Sequence, residues 1–197
     1  MHERRIPEWL RHAPAPSVRG FAVLAGLEGV VRGILISVYP LVLYRALGDA
    51  SQVSALYFAV GIISLIVGML VPSAVRLVPR RWAYSTGAAL YVVAAGLAII
   101  GTPLTLVLSL TLNFVGTVIT FVCFNAYVLD YIARIELGRC ETSRLFYSAI
   151  GWTAGPVAGV MLMGLWQPAP FVISAAAAAL MLAVFWFELL REMGDGV

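Results

Sequence analysis

From Gly20 onward the chain is a succession of long apolar runs, separated by short clusters of turn residues or charge. A helix that crosses a bilayer needs about 20 mostly apolar residues. Six segments qualify, at residues 20–44, 52–75, 82–101, 103–129, 144–166 and 170–190. The breaks read "RALGDAS", "RLVPRRW", "GTP", "DYIARIELGRCETSR" and "WQPAP". "GTP" is the slightest of them, and it is needed because an unbroken run from Trp82 to Leu129 is far too long for one span. None of the runs keeps the strict alternation of a barrel strand, which argues against transmembrane β-structure. The expected fold class is an all-α integral membrane protein with six transmembrane helices.

Composition agrees with the pattern. The chain is 61% hydrophobic and 12% charged, where a soluble domain carries about 25% charged residues. The net charge of +3 invites a nucleic-acid reading. That reading is excluded because the arginines lie in short loops between apolar runs rather than on one soluble face. Every basic residue is arginine, which fits high-GC coding, and the expected location is a bacterial plasma (inner) membrane. Arg4, Arg5, Arg11, Arg19, Arg76, Arg80, Arg81, Arg134, Arg139, Arg144 and Arg191 fall on one side; Arg45 falls on the other and Arg32 lies within a span. The positive-inside rule then puts both termini in the cytoplasm. Residues 1–19 form a basic leading segment and 191–197 a tail or the start of a linker. In "RIPEWLRH" an interfacial helix, with Ile6, Trp9 and Leu10 toward lipid, and a disordered lead fit equally well.

Against this background "LEGVVRG", residues 27–33, stands out. At about 100° per residue, Arg32 lies about 40° from Glu28 on the helix wheel and Tyr39 about 20° from it. A central Arg costs about 2.5–3.5 kcal/mol in lipid, and Glu28 one turn earlier offsets part of that. The stripe is therefore expected to face a protein interior or a wet cavity. Two readings fit: a functional ionisable site, and a self-neutralised pair that only orients the helix.

The fourth run carries a second stripe of Asn113, Thr117, Thr120 and Tyr127, with Asn125 about 120° off it. A solvated pathway and plain interhelical hydrogen bonds, worth about 0.6 kcal/mol each, both suit this face. In the fifth run, "GWTAGPVAG" spaces Gly151, Gly155 and Gly159 as a smooth groove for a close-packed helix, and Pro156 is expected to kink it. "SAAAAAL" in the sixth run reads as an alanine-rich helix. Cys123 and Cys140 suggest neither a disulfide framework nor a metal site. No nucleophile elbow, Walker loop or His-Glu-x-x-His is present, so the reading is not an enzyme and calls for no metal and no cofactor.

Two stretches resemble the amino-terminal half of a major facilitator superfamily transporter. In "GMLVPSAVRLVPRRW", Gly68, Leu70 and Arg76 match the loop pattern Gly-x-Leu-Ala-Asp-Arg-x-Gly-Arg-Arg. Arg80 and Arg81 match its basic end after a four-residue insertion, and Pro72 fills the acidic slot. "GWTAGPVAG" is similar to the antiporter motif of the fifth helix at Gly151, Gly155, Pro156 and Gly159; Thr142 and Val160 stand where that motif has glycine. The resemblance implies a half bundle of two three-helix repeats that works with a second six-helix half, in the same gene, as a split partner or as a second copy. It implies a secondary transporter exporting a small amphipathic solute by alternating access, coupled to protons. Substrate and proton would be held by Glu28, Arg32, Tyr39, Asn113, Thr117, Thr120 and Tyr127. The inner gate would comprise Arg76, Arg80, Arg81, Asp130 and Arg134. The glycine groove would await a helix of the other half. The other classes that fit the residues are a non-transporting membrane binding or assembly protein and a six-helix homo-oligomeric channel.

Overall fold

The computed structural model describes the backbone of residues 18–132 and 136–194. The leading segment before Val18, the gate candidate Arg134 and the last three residues lie outside the described residues. The described chain is all helix: α1 (Val18–Leu47), α2 (Ala50–Leu77), α3 (Arg80–Ile100), α4 (Pro103–Tyr131), α5 (Leu137–Leu165) and α6 (Ala169–Gly194). Each of the six contains a stretch long and apolar enough to cross a membrane.

The turns are written in local chemistry. Between α1 and α2, Gly48 adopts φ 74° and the Asp49 side chain accepts from the Ser51 amide at 2.8 Å, capping the new helix. The slight "GTP" break is a full stop: Gly101 takes the left-handed conformation at φ 76°, Thr102 and Thr105 form a capping box, and Pro103 occupies the first turn. The largest departure from expectation is α5, which begins at Leu137 rather than 144. Hydropathy ends a span at its last charge, but "LGRCETSR" satisfies its charges within the fold and stays helical. Helix α5 also runs unbroken through Pro156.

Helix α1 is the centre of the bundle. It packs most extensively on α5 and next on α6, while α3 packs on α4 and α6, and α2 rests mainly on α4. The α1–α5 crossing explains the glycines. A Cβ on Gly155 would sit 2.4 Å from the carbonyl carbon of Gly33, one on Gly151 2.4 Å from that of Gly29, and one on Gly159 2.3 Å from the Ile34 oxygen. Without side chains the two backbones reach van der Waals contact, the force that associates helices in lipid. Ser37 Oγ adds a hydrogen bond to the Pro156 carbonyl at 2.8 Å. The groove of Gly151, Gly155 and Gly159 is thus filled by α1 of the same chain, and the expectation that it awaits an outside helix is corrected. The matching half of this two-sided groove is Gly29 and Gly33 of α1, whose place opposite α5 depends on how the helices pack and not on either helix's own pattern.

Small residues set two further crossings. Gly87 of α3 meets Gly116 of α4, where a Cβ on Gly116 would lie 2.9 Å from the Gly87 oxygen. In α6, Ser174 and Ala178 are fully buried, and Ser174 Oγ donates to the Val31 carbonyl at 3.3 Å. The "SAAAAAL" tract is therefore a packing surface. Helices α2 and α5 stay peripheral; α2 buries only Val53, Val60, Ser64 and Val71 and leaves Phe58, Leu65, Met69 and Leu70 outward.

Candidate functional site

The α1–α5 contact turns the glycine face of α1 onto α5 and brings the neighbouring polar stripe beside Trp152. Arg32 Nη1 donates to Glu28 Oε1 at 3.4 Å, one helical turn apart, and the guanidinium lies over the Trp152 ring, 4.9 Å from its centroid. The pair is largely covered by the protein: the Glu28 side chain is 13% exposed and that of Arg32 28%. Arg32 and Trp152 together line two adjoining chambers.

The first chamber, about 230 Å³, lies among α1, α2, α4 and α5. Arg32, Tyr39, Asn113 and Thr117 supply its polar lining, with Tyr57, Phe114 and Trp152 as aromatic walls. The two stripes expected on α1 and α4 meet here. Thr117 Oγ1 directs its proton to the Asn113 carbonyl (2.9 Å) and accepts from Tyr91 of α3 (3.0 Å). Ser109 directs its proton to the Ala94 carbonyl (2.6 Å), so the Tyr39 hydroxyl is the donor in the 2.7 Å Tyr39–Ser109 bond. The Asn113 amide nitrogen is buried and has no partner.

The second chamber, about 280 Å³, is lined by Glu28, Arg32, Asn125, Glu141, Arg144 and Trp152, among others. Arg144, only 8% exposed, bonds Glu141, donates to Asn125 Oδ1 at 2.9 Å and stacks over Phe124 at 4.4 Å. Its lining holds two arginines and two carboxyl groups. Sequence reading missed this constellation. Arg144 looked like a loop charge, and Asn125 lay off the chosen stripe. The available signal was Glu141-x-x-Arg144, a helical charge pair directly before an apolar run.

Other expected site residues sit elsewhere. Thr120, 1% exposed, bonds the Gly116 carbonyl (2.9 Å) and the Tyr91 hydroxyl (3.3 Å), so it joins α4 to α3. Tyr127 packs edge-on against Phe185, centroids 5.4 Å apart, in the core. Neither lines the two chambers. Of the gate candidates, Arg80 and Asp130 form an ion pair between the starts of α3 and the end of α4, with side chains 42% and 53% exposed. Arg76 is exposed, and Arg81 is half-buried with its Nε unpartnered. No group of metal-ligating side chains occurs among the described residues.

Fold and site together define an all-helical protein with six helices suited to spanning a membrane, built around a charged pair and two adjoining, partly open chambers. Comparisons with family models, curated proteins and solved structures return no match.

Proposed function

We propose that the chain is one half of a secondary active transporter that exports a small amphipathic solute by alternating access, with protons as the coupling ion. The observation that carries the reading is the first chamber. It mixes one arginine, an unpartnered buried amide and aromatic walls, the composition of a small-molecule site. An ionisable residue held inside a span is a functional candidate by default. In this reading the solute occupies the first chamber, and Glu28, at the boundary of the second, exchanges the proton.

The helix pairings support two three-helix repeats. Exchanging α1, α2, α3 with α4, α5, α6 turns the α1–α5 contact into the α4–α2 contact and the α3–α4 contact into the α6–α1 contact, and all four are present. The lining of the first chamber comes only from α1, α2, α4 and α5. A second six-helix unit would close against the outward faces of α2 and α5. Export as the direction rests on the likeness of the fifth-helix motif, and cytoplasmic termini on the arginine count.

The test is solute flux under an imposed pH gradient in proteoliposomes that hold the chain together with a second six-helix unit, as a second copy or as a carboxy-terminal partner. Glu28→Gln should abolish the response to the gradient while leaving exchange of solute across the membrane. A gradient response undiminished in Glu28→Gln contradicts Glu28 as the proton site, and flux no greater than in empty liposomes contradicts transport.

A further inference from the structure

We infer that the first chamber takes a small organic anion with a flat apolar body, a benzoate-like carboxylate, seated on Arg32 and Asn113 between aromatic walls. This names a substrate class for the chamber and rests on reading it as a solute site.

Charge comes first. Among the described residues Arg32 is the one ionisable acid or base lining this chamber besides its tyrosines; the carboxyl groups of Glu28 and Glu141 line the other. A cation entering here would meet the guanidinium first, with the Glu28 carboxylate on its far side, in the other chamber. An anion would meet a guanidinium with donors to spare. Arg32 has five N–H groups, and its hydrogen bond to Glu28, at 3.4 Å, is long for a charge-assisted contact. Its planar fork matches a carboxylate in a bidentate fashion.

Hydrogen bonding agrees. The Asn113 amide nitrogen is a buried donor without an acceptor, and the residue is 6% exposed. An unmade buried hydrogen bond destabilises the empty protein, and a turn of the Asn113 side chain toward the chamber it lines would let a ligand oxygen accept from it and remove that cost. An ammonium group offers only donors and cannot accept from the Asn113 nitrogen.

Shape sets the rest. Tyr57 and Phe114 meet edge-to-face, centroids 6.0 Å apart at 81°, and Trp152 covers the guanidinium. A flat apolar ring between such walls gains stacking contact. The chamber of about 230 Å³ holds the liquid volume of about eight waters, which fits a single ring with its carboxylate.

The experiment is calorimetric titration of the full chain in phosphatidylcholine nanodiscs with benzoate, acetate and benzylammonium. Benzoate should bind saturably, with acetate and benzylammonium at least tenfold weaker. Arg32→Gln should weaken benzoate at least tenfold. Tyr57→Leu, which removes a wall but no charge, should weaken benzoate severalfold and leave acetate unchanged, so the inference is testable even where Arg32→Gln fails to fold. Benzylammonium binding as tightly as benzoate, a folded Arg32→Gln protein binding benzoate as well as the parent, or no benzoate binding at all would overturn the inference. Loss of benzoate binding on adding phosphatidylglycerol would assign the oxygens at Arg32 to a lipid headgroup, which also overturns it. Failure here is separable from failure of the transport reading. A chain that binds benzoate but moves no solute keeps this inference and removes transport; one that moves only cations does the reverse.

Discussion

Gly155 and Gly33 face each other so closely that a single methyl group has no room; the ideal Cβ of Gly155 falls 2.4 Å from backbone that cannot swing aside. Gly155→Leu should therefore destabilise this 197-residue chain by itself, by about 1–3 kcal/mol or more through overpacking. Gly164, on the same helix, has nothing within 4 Å of its ideal Cβ, and Gly164→Ala should be neutral or mildly stabilising. Thermal unfolding of the two variants in one detergent makes the comparison, and equal midpoints would contradict the packing of α1 on α5. At this scale the sequence exposed Arg32 plainly, because a charge inside an apolar run has few explanations. It concealed Trp152 and Asn125, because an aromatic or an amide at a helix face looks the same whether it meets a chamber or lipid. Only the positions of neighbouring helices distinguish the cases.

The helices themselves were nearly all legible, since spans are set by the thickness of the apolar layer and turns by residues such as Gly101, Thr102 and Pro103. The exception is the start of α5. Hydropathy reads Arg139, Glu141 and Arg144 as loop, yet Arg144 is tied to Glu141 and Asn125 and buried over Phe124. The α4 stripe was found as a face but not as two faces. Asn113 and Thr117 turn toward the chamber, while Thr120, only a turn further on, is drawn into the α3 contact by the Gly87–Gly116 approach. The Arg80–Asp130 pair links α3 and α4 at the end where the arginines cluster. Both side chains are well exposed, so its worth to stability is small, about 0–1 kcal/mol. Asp130→Asn should leave the unfolding midpoint almost unchanged and, if the pair latches an inner gate, shift the balance of accessibility between the two sides. Thiol accessibility on each side checks this; an unchanged balance removes the gate role, and a large loss of stability makes the pair structural.

The whole molecule holds together through close backbone crossings of α1 with α5 and α6 and of α3 with α4 and α6. It leaves α2 and α5 with broad outward apolar faces. Sequence periodicity marks which face of a helix is small or polar, but it does not say which other helix meets it; that is why the glycine groove was recognised and its partner mistaken. The chambers at Arg32 exist because that packing holds Glu28 and Arg32 away from lipid and opposite α4. The central claim is that the first chamber is a water-filled solute path rather than a dry packing defect. The most direct measurement is labelling of single cysteines, in a Cys123→Ala, Cys140→Ala background, with a membrane-impermeant thiol reagent in sealed vesicles. The account predicts that Thr117→Cys, in the chamber wall, reacts, whereas Thr120→Cys, sealed against Tyr91, does not. A Thr117→Cys protein inert from both sides of the membrane, or a Thr120→Cys protein equally reactive, would contradict it.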